Sequence, residues 1–182
     1  VKEPTAVALA TATKTGLPSV RMVLLKGFDA DGAGGAGVEG SFVFFTNYES
    51  RKGRHLAENP EAALCFFWDG LARQVRAEGK VERVSAAESD AYFSSRPVDS
   101  QIGAWASQQS RPTVEGGLEK RLAEVKATFA AGGKIERPAY WGGYRLTPRR
   151  VEFWEGKQFR LHDRFEFTRD ARGIWQRQWL FP

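Results

Sequence analysis

Cysteine is almost missing from these 182 residues: Cys65 is the only one. A single thiol forms neither an internal disulfide nor a four-ligand zinc site, and it fits a reducing, cytoplasmic setting. With only two histidines besides, the sequence carries no His/Cys metal constellation,. No apolar run approaches the roughly 20 residues that a membrane helix requires, and no signal peptide opens the sequence. A G-x-G-x-x-G turn, a phosphate-binding P-loop and a nucleophile elbow are all missing. Internal repeats, heptad runs and linkers rich in Pro or Ser are missing too, so a single soluble domain over residues 1–182 is expected,.

What is present is a chain with 42% hydrophobic residues, long enough for one core and short for two,. Its net charge of +5 favours anionic partners: nucleic acid, anionic lipid or phosphorylated small molecules,. Charge alone does not choose among them.

The first third reads as β-structure. Thr5–Thr13, Ser19–Lys26 and Ser41–Asn47 are β-tolerant or rich in Val, Leu and Phe, and Lys14–Pro18 carries turn signals,. Between the second and third strands, Gly27–Gly40 holds six glycines and two aspartates and is expected to be a long hairpin loop,. Ser50 suits an N-cap for a short helix from Arg51 to Glu58, stopped by Asn59-Pro60. Strands return at Ala62–Trp68 and Arg73–Val84, joined at Asp69-Gly70. Ser85-Ala86-Ala87-Glu88 is a capping-box pattern for a helix ending near Arg96-Pro97. Leu118, Leu122, Val125 and Phe129 recur at helical spacing as a core stripe, with Gly132-Gly133 as the stop. Tyr144–Leu180 reads as strands again, with Glu155–Gln158 as the turn between Val151–Trp154 and Phe159–Thr168. Strands at both ends with helices between them imply a mainly antiparallel barrel carrying peripheral helices rather than a doubly wound parallel sheet.

Four clusters could carry chemistry. Arg51 and Lys52 fall in the first turn of the short helix, where the macrodipole already makes the end positive; a bound phosphate would resolve the conflict, whereas solvated surface charges are the bland alternative. In Phe159–Phe165, strand alternation would align Arg160, His162 and Arg164 on one face, with Trp154 across the turn. Tyr92 and Arg96 share a helix face and, with Ser100, offer a phenol, a guanidinium and a hydroxyl to a phosphate monoester; a plain Tyr–Arg packing contact is the alternative. Arg21 and Lys26 bracket an apolar run, and strict alternation puts them on opposite faces, so one shared site needs the strand to end, twist or bulge.

Six ordered segments together resemble the pyridoxamine 5'-phosphate oxidase family over nearly the whole chain. They are Arg21–Lys26 (RMVLLK), Ser50–Lys52 (SRK), Ser95–Trp105 (SRPVDSQIGAW), Ser107–Ser110 (SQQS), Trp141–Tyr144 (WGGY) and Val151–Arg164 (VEFWEGKQFRLHDR). The resemblance implies a split-barrel FMN-binding fold, a homodimer, and two FMN sites built from both subunits. It places Arg21, Met22, Val23, Leu24, Leu25, Lys26, Phe45, Thr46, Arg51, Lys52, Gln74, Gln109, Ser110, Trp154 and Arg164 around the flavin. Lys26, Tyr92, Arg96 and Ser100 would take the substrate phosphate, and Arg160 and His162 would lie over the pyridine ring as catalytic groups. The implied reaction is oxidation of pyridoxamine or pyridoxine 5'-phosphate by O2 to pyridoxal 5'-phosphate with release of hydrogen peroxide.

Departures from the family pattern are also visible. The sequence opens at Val1-Lys2-Glu3-Pro4, so no residue is assigned to the N-terminal segment that helps cover the substrate in the family. The sequence closes Trp179-Leu180-Phe181-Pro182 where relatives usually carry Arg-Leu-x-Pro, so an indole replaces a cation. Glu155 stands where Gln is common, and Gly27–Gly40 is longer than the usual hairpin. Trp179 keeps open a rival, a split-barrel oxidase of the phenazine-pathway type acting on another reduced aromatic; Lys26, Tyr92, Arg96 and Ser100 argue against it, since a substrate without phosphate would not need them. A nucleic-acid-binding barrel or a non-catalytic flavin carrier is the reading from another class. The basic residues fall in separate clusters rather than one stripe, so neither nucleic acid nor membrane is expected as a partner.

Overall fold

The computed structural model describes residues 2–29, 40–130 and 132–182. Six antiparallel strands close on themselves: β1 (Ala6–Ala12), β2 (Pro18–Asp29), β3 (Ser41–Asn47), β4 (Glu61–Trp68), β5 (Arg73–Arg83) and β6 (Trp141–Glu155) follow the order β3-β2-β1-β4-β5-β6, and β3 pairs with β6. Two further strands, β7 (Asp163–Arg169) and β8 (Trp175–Trp179), extend the sheet beyond β6. The barrel core is filled by alternate residues: Val7, Leu9, Phe44, Leu64 and Leu146 are fully buried. Each such side chain contributes about 1.5–3 kcal/mol by leaving water, so truncating one, as in Leu146→Ala, costs a sizeable share of the stability.

β6 holds the split barrel together because its two halves serve different partners. Residues Trp141–Leu146 pair with β3, and Arg150–Glu155 pair with β7. The change of partner falls at Pro148, which has no N–H to donate, opposite a register shift at Glu78/Gly79 in β5,. Gly79 is obligatory there, since a Cβ would stand 2.0 Å from the Thr147 carbonyl oxygen.

Helix α1 (Arg51–Glu58) forms over the expected residues; Ser50 Oγ accepts from Gly53 N at its start. Ser85 likewise caps α2 (Ala86–Ser95) by accepting from Glu88 N. With α3 (Val98–Ala106) and α4 (Gly117–Thr128), α2 builds a second cluster around Phe93, Ile102, Val125 and Trp141.

Five expectations need correction. β2 runs on to Asp29, so Gly27–Asp29 is strand rather than loop, because Gly27 and Phe28 keep pairing with Val43 and Phe42; residues 30–39 of the expected loop lie outside the described residues. Asp69–Leu71 forms one turn of 3-10 helix closed by left-handed Ala72 instead of a two-residue hairpin. α3 was not anticipated: its small residues Gly103, Ala104 and Ala106 give no strong apolar period. Leu118 is 53% exposed at the start of α4, so only Leu122, Val125 and Phe129 of the stripe reach the core. Finally, Phe159–Leu161 is not strand. Phe159 and Arg160 take left-handed backbone (φ 59° and 62°), and β7 begins only at Asp163, so alternation does not align Arg160, His162 and Arg164.

Candidate active site

A cavity of about 440 Å³ opens between β2, β3, α1, α2 and α3. Met22, Leu24 and Lys26 reach it from the exposed face of β2, with Val23 beside them. β2 does carry an irregularity near its end: the register with β3 jumps from Leu25↔Phe44 to Gly27↔Val43, leaving Lys26 as the bulged residue,. Arg21 stays on the opposite face from Lys26, however, and does not line the cavity.

One end of the cavity is built to hold an anion. Lys52 is only 6% exposed, and its Nζ donates to Thr46 Oγ1 (3.1 Å), Ser50 Oγ (3.3 Å) and Gln109 Oε1 (3.0 Å). Among the described residues it has no carboxylate partner. Burial, reinforced by the positive charge of Arg21, lowers its pKa to about 8. Arg21 is itself destabilised as a cation, first by burial and then by Arg51. Leu9 O, Thr11 Oγ1 and Ser19 Oγ fix its guanidinium at 3.0, 2.8 and 2.7 Å. A buried lysine at a helix N-terminus, with Arg21 and Arg51 behind it and no acid paired with any of the three among the described residues, suits a phosphate,.

The other end is aromatic and cationic. Phe45 stacks on Tyr92 (centroids 3.9 Å apart) and on Trp141 (5.6 Å), making a flat wall. Arg96, at the C-cap of α2, lies 4.7 Å over the Trp141 ring, and its Nη1 is buried with no hydrogen-bond partner. Burial lowers its pKa and raises that of Tyr92. Ser100 completes this end from the first turn of α3. An unpartnered guanidinium nitrogen costs free energy, and a ligand phosphate would remove that cost.

The cavity therefore gathers Met22, Val23, Leu24, Lys26, Phe45, Thr46, Lys52, Gln109, Tyr92, Arg96 and Ser100 of the expected residues. Asn47, Gly103, Ala104, Ser107 and Trp141 also line it and were not singled out one by one. Trp141, Gly103, Ala104 and Ser107 lay inside the segments that carry the family resemblance, and that was the available signal. Leu25 packs into the barrel core, while Arg21 and Arg51 sit behind the phosphate cradle. Ser110, in left-handed backbone (φ 68°), lines a neighbouring cavity of about 300 Å³.

Gln74, Trp154, Arg160, His162 and Arg164 lie apart from this cavity, on β5, β6, β7 and the turn before β7. Gln74, Trp154 and Arg164 form a cross-strand row. The His162 ring lies 4.7 Å from that of Trp154, and its Nδ1 accepts from the Lys157 backbone N–H at 3.1 Å. That bond leaves the ring proton of neutral His162 on Nε2.

A closed split barrel with a phosphate cradle beside a flat aromatic wall defines an FMN-binding split-barrel protein. The same fold occurs in a pyridoxamine 5'-phosphate oxidase-related, FMN binding protein from Nostoc punctiforme, with a TM-score of 0.74 at 18% identity over 98% of this chain and 89% of the other. The family model described as pyridoxamine 5'-phosphate oxidase matches residues 1–129, and that of the pyridoxine 5'-phosphate oxidase C-terminal dimerisation region matches 141–182. The chain belongs to the pyridoxamine 5'-phosphate oxidase family. It is 53% identical to the pyridoxine/pyridoxamine 5'-phosphate oxidase of Bordetella petrii over 182 residues, covering 100% of this chain and 81% of that protein. The enzyme of the same description from Allorhizobium ampelinum is 51% identical, covering 100% and 84%. Among solved structures, PhzG from Burkholderia lata in complex with tetrahydrophenazine-1-carboxylic acid has a TM-score of 0.88 at 33% identity, covering 100% and 84%. FMN is the cofactor of this family, and the unpaired, buried Lys52 with Arg21 and Arg51 fits its phosphate.

Proposed function

We infer that this chain is an FMN-dependent oxidase converting pyridoxamine 5'-phosphate and pyridoxine 5'-phosphate to pyridoxal 5'-phosphate, with O2 reduced to hydrogen peroxide. The observation that carries this reading is one cavity with two cationic ends, the buried Lys52 at one and the unpartnered Arg96 Nη1 at the other, each suited to a phosphate. A phosphorylated cofactor and a phosphorylated substrate fill both.

Bound FMN supplies the two-electron acceptor for the hydride leaving the substrate's C4' carbon. Lys26, Tyr92, Arg96 and Ser100 anchor the substrate phosphate, and Phe45 with Trp141 backs the wall beside it. This anchoring fixes the C4' carbon, which contributes to rate by orientation. Arg160 and His162 lie over the pyridine ring; with its proton on Nε2, neutral His162 presents a donor there. With the amine substrate, water releases ammonia from the oxidised product, so one O2 and one water are consumed per pyridoxal 5'-phosphate.

Residues 1–182 work as one split-barrel domain within a homodimer in the cytoplasm. Gln74, Trp154, Arg160, His162 and Arg164 of one subunit complete the cavity of the other. Support comes from the exposed apolar residues Val20, Met22, Leu24, Phe67 and Phe153, which a second copy would cover, and from the description of the region that matches 141–182,.

Peroxide release by the purified, FMN-loaded protein on each phosphorylated substrate tests the assignment; no turnover with flavin bound overturns it. Oxidation of a reduced phenazine carboxylate is the second reading. It is favoured by the solved relative bound to tetrahydrophenazine-1-carboxylic acid and by Trp179, an indole where the family pattern carries a cation. Turnover of that substrate but of neither B6 phosphate would establish it.

A further inference from the structure

Glu152 is one of the most deeply buried charged residues described, at 3% exposure, yet it lines neither the active-site cavity nor its neighbour. It sits on β6 between two arginines of neighbouring strands. Arg164 on β7 donates to it twice, Nε to Oε1 at 3.0 Å and Nη2 to Oε2 at 3.1 Å, and Arg76 on β5 donates to Oε2 from the other side. Burial alone would raise the Glu152 pKa; the bonds and charges of Arg164 and Arg76 outweigh it and lower the pKa, so the carboxylate is ionised.

The geometry fixes what Arg164 has left to offer. A guanidinium carries five N–H groups. Two are taken by Glu152, and Nη1 gives a third to the Phe181 carbonyl oxygen at 2.8 Å. One N–H on each terminal nitrogen remains,. A two-point carboxylate contact holds the guanidinium plane as well as its position, which one bond would not do.

We propose that Glu152 is a positioning residue for the flavin site: through its two-point bond it sets the Arg164 guanidinium so that its two free N–H groups face the flavin of the partner subunit. This rests on the assignment of Arg164 to the flavin. Glu166 provides an internal comparison. It is equally buried (1% exposed), stands directly opposite Glu152 in the β6–β7 pairing, and accepts from Arg150 and Gln178 instead of Arg164.

The test measures FMN dissociation from the dimer, the visible circular dichroism of bound FMN and thermal stability in the full chain, comparing Glu152→Gln, Glu166→Gln, Arg164→Lys and the Glu152→Gln/Arg164→Lys double variant. Glu152→Gln and Arg164→Lys are each expected to weaken FMN binding about tenfold and to change the dichroism, with little further loss in the double variant. Glu166→Gln lowers thermal stability alone. Equal losses of FMN affinity in Glu152→Gln and Glu166→Gln would reduce Glu152 to a structural charge and overturn the proposal. Unchanged affinity in Glu152→Gln beside a loss in Arg164→Lys would overturn it too. No loss in Arg164→Lys would instead remove the flavin assignment of Arg164 on which it rests. If Glu152→Gln does not fold, Arg76→Gln, which leaves the Arg164 contact intact, must keep wild-type FMN affinity for the proposal to stand.

Discussion

Lys52 Nζ donates to Gln109 Oε1 at 3.0 Å, joining the first turn of α1 to the segment after α3. The bond closes the phosphate end of the cavity from both sides, and it leaves a buried ammonium with neutral partners only. A charge held this way destabilises the empty protein and is relieved by an anion. Lys52→Met is therefore expected to raise the melting temperature of the FMN-free protein while weakening FMN binding about a hundredfold, the cost of losing two to three kcal/mol of charge-assisted bonding. Calorimetry of the apoprotein and FMN titration read the two effects separately; a variant with both lowered stability and unchanged affinity contradicts the account.

The same lysine sets a pH dependence. Its pKa in the folded, FMN-free chain is about 8, below the usual lysine value of 10.5. Between these values the unfolded chain binds the proton and the folded chain does not, so stability from this group rises with pH over about 8 to 10.5. A phosphate dianion nearby raises the folded pKa, so FMN binding takes up a proton above pH 8 and weakens as pH climbs. Titrating FMN from pH 7 to 10 should show that decline in the wild type and a flatter profile in Lys52→Met.

Much of the barrel and of the cavity was legible because it rests on local signals. Ser50 and Ser85 announced their helices through side-chain caps, and the β-tolerant run at β1 and the Val- and Phe-rich run at β3 announced strands. The phosphate cradle was readable from two cations at a helix start, a local conflict that only a ligand resolves. What escaped depended on distant or backbone geometry. The Lys52–Gln109 bond joins residues 57 positions apart, and the buried Arg96 Nη1 needs the Trp141 ring above it. α3 is held by packing of small residues, which leaves no periodic trace. The turn at Phe159-Arg160 adopts a left-handed backbone without a glycine, so strand alternation misassigned the face of Arg160.

That turn has a measurable consequence. Two consecutive residues with a Cβ in left-handed backbone each carry a cost of about 1–2 kcal/mol,. Phe159 is 88% exposed, so its side chain contributes little packing within the chain. Phe159→Gly should relieve part of the strain and raise stability by about 1 kcal/mol, while loosening the neighbouring Arg160. Higher melting temperature together with a raised KM for the phosphorylated substrate is the expected pair; an unchanged KM would mean that the turn does not hold Arg160 in place.

Gly79 offers a test of the barrel itself. Any Cβ there meets the Thr147 carbonyl oxygen and the Pro148 Cα, backbone atoms that cannot swing aside. Gly79→Ala should destabilise by about 3 kcal/mol, the upper end of overpacking costs, by forcing apart β5 and β6 where β6 changes partners. Urea unfolding of the FMN-free protein checks this, and a loss under about 0.5 kcal/mol, the range of ordinary surface changes, would show that the register shift has slack.

Arg96 separates substrate binding from cofactor binding. Its Nη1 is buried without a partner, and its guanidinium is held against Trp141 rather than by a carboxylate. With the FMN phosphate at the Lys52 end, as proposed, removing Arg96 should spare the flavin. Arg96→Ala is expected to raise KM for pyridoxine 5'-phosphate about a hundredfold, the loss of a charge-assisted phosphate contact, with FMN affinity unchanged. Arg96→Lys should recover only part of that, since an ammonium reaches the phosphate as a point charge and loses the planar contact with the indole. Steady-state kinetics of the two variants beside FMN titration decide the matter: a fall in FMN affinity equal to the rise in KM would mean that a single phosphate site, and not two, occupies the cavity.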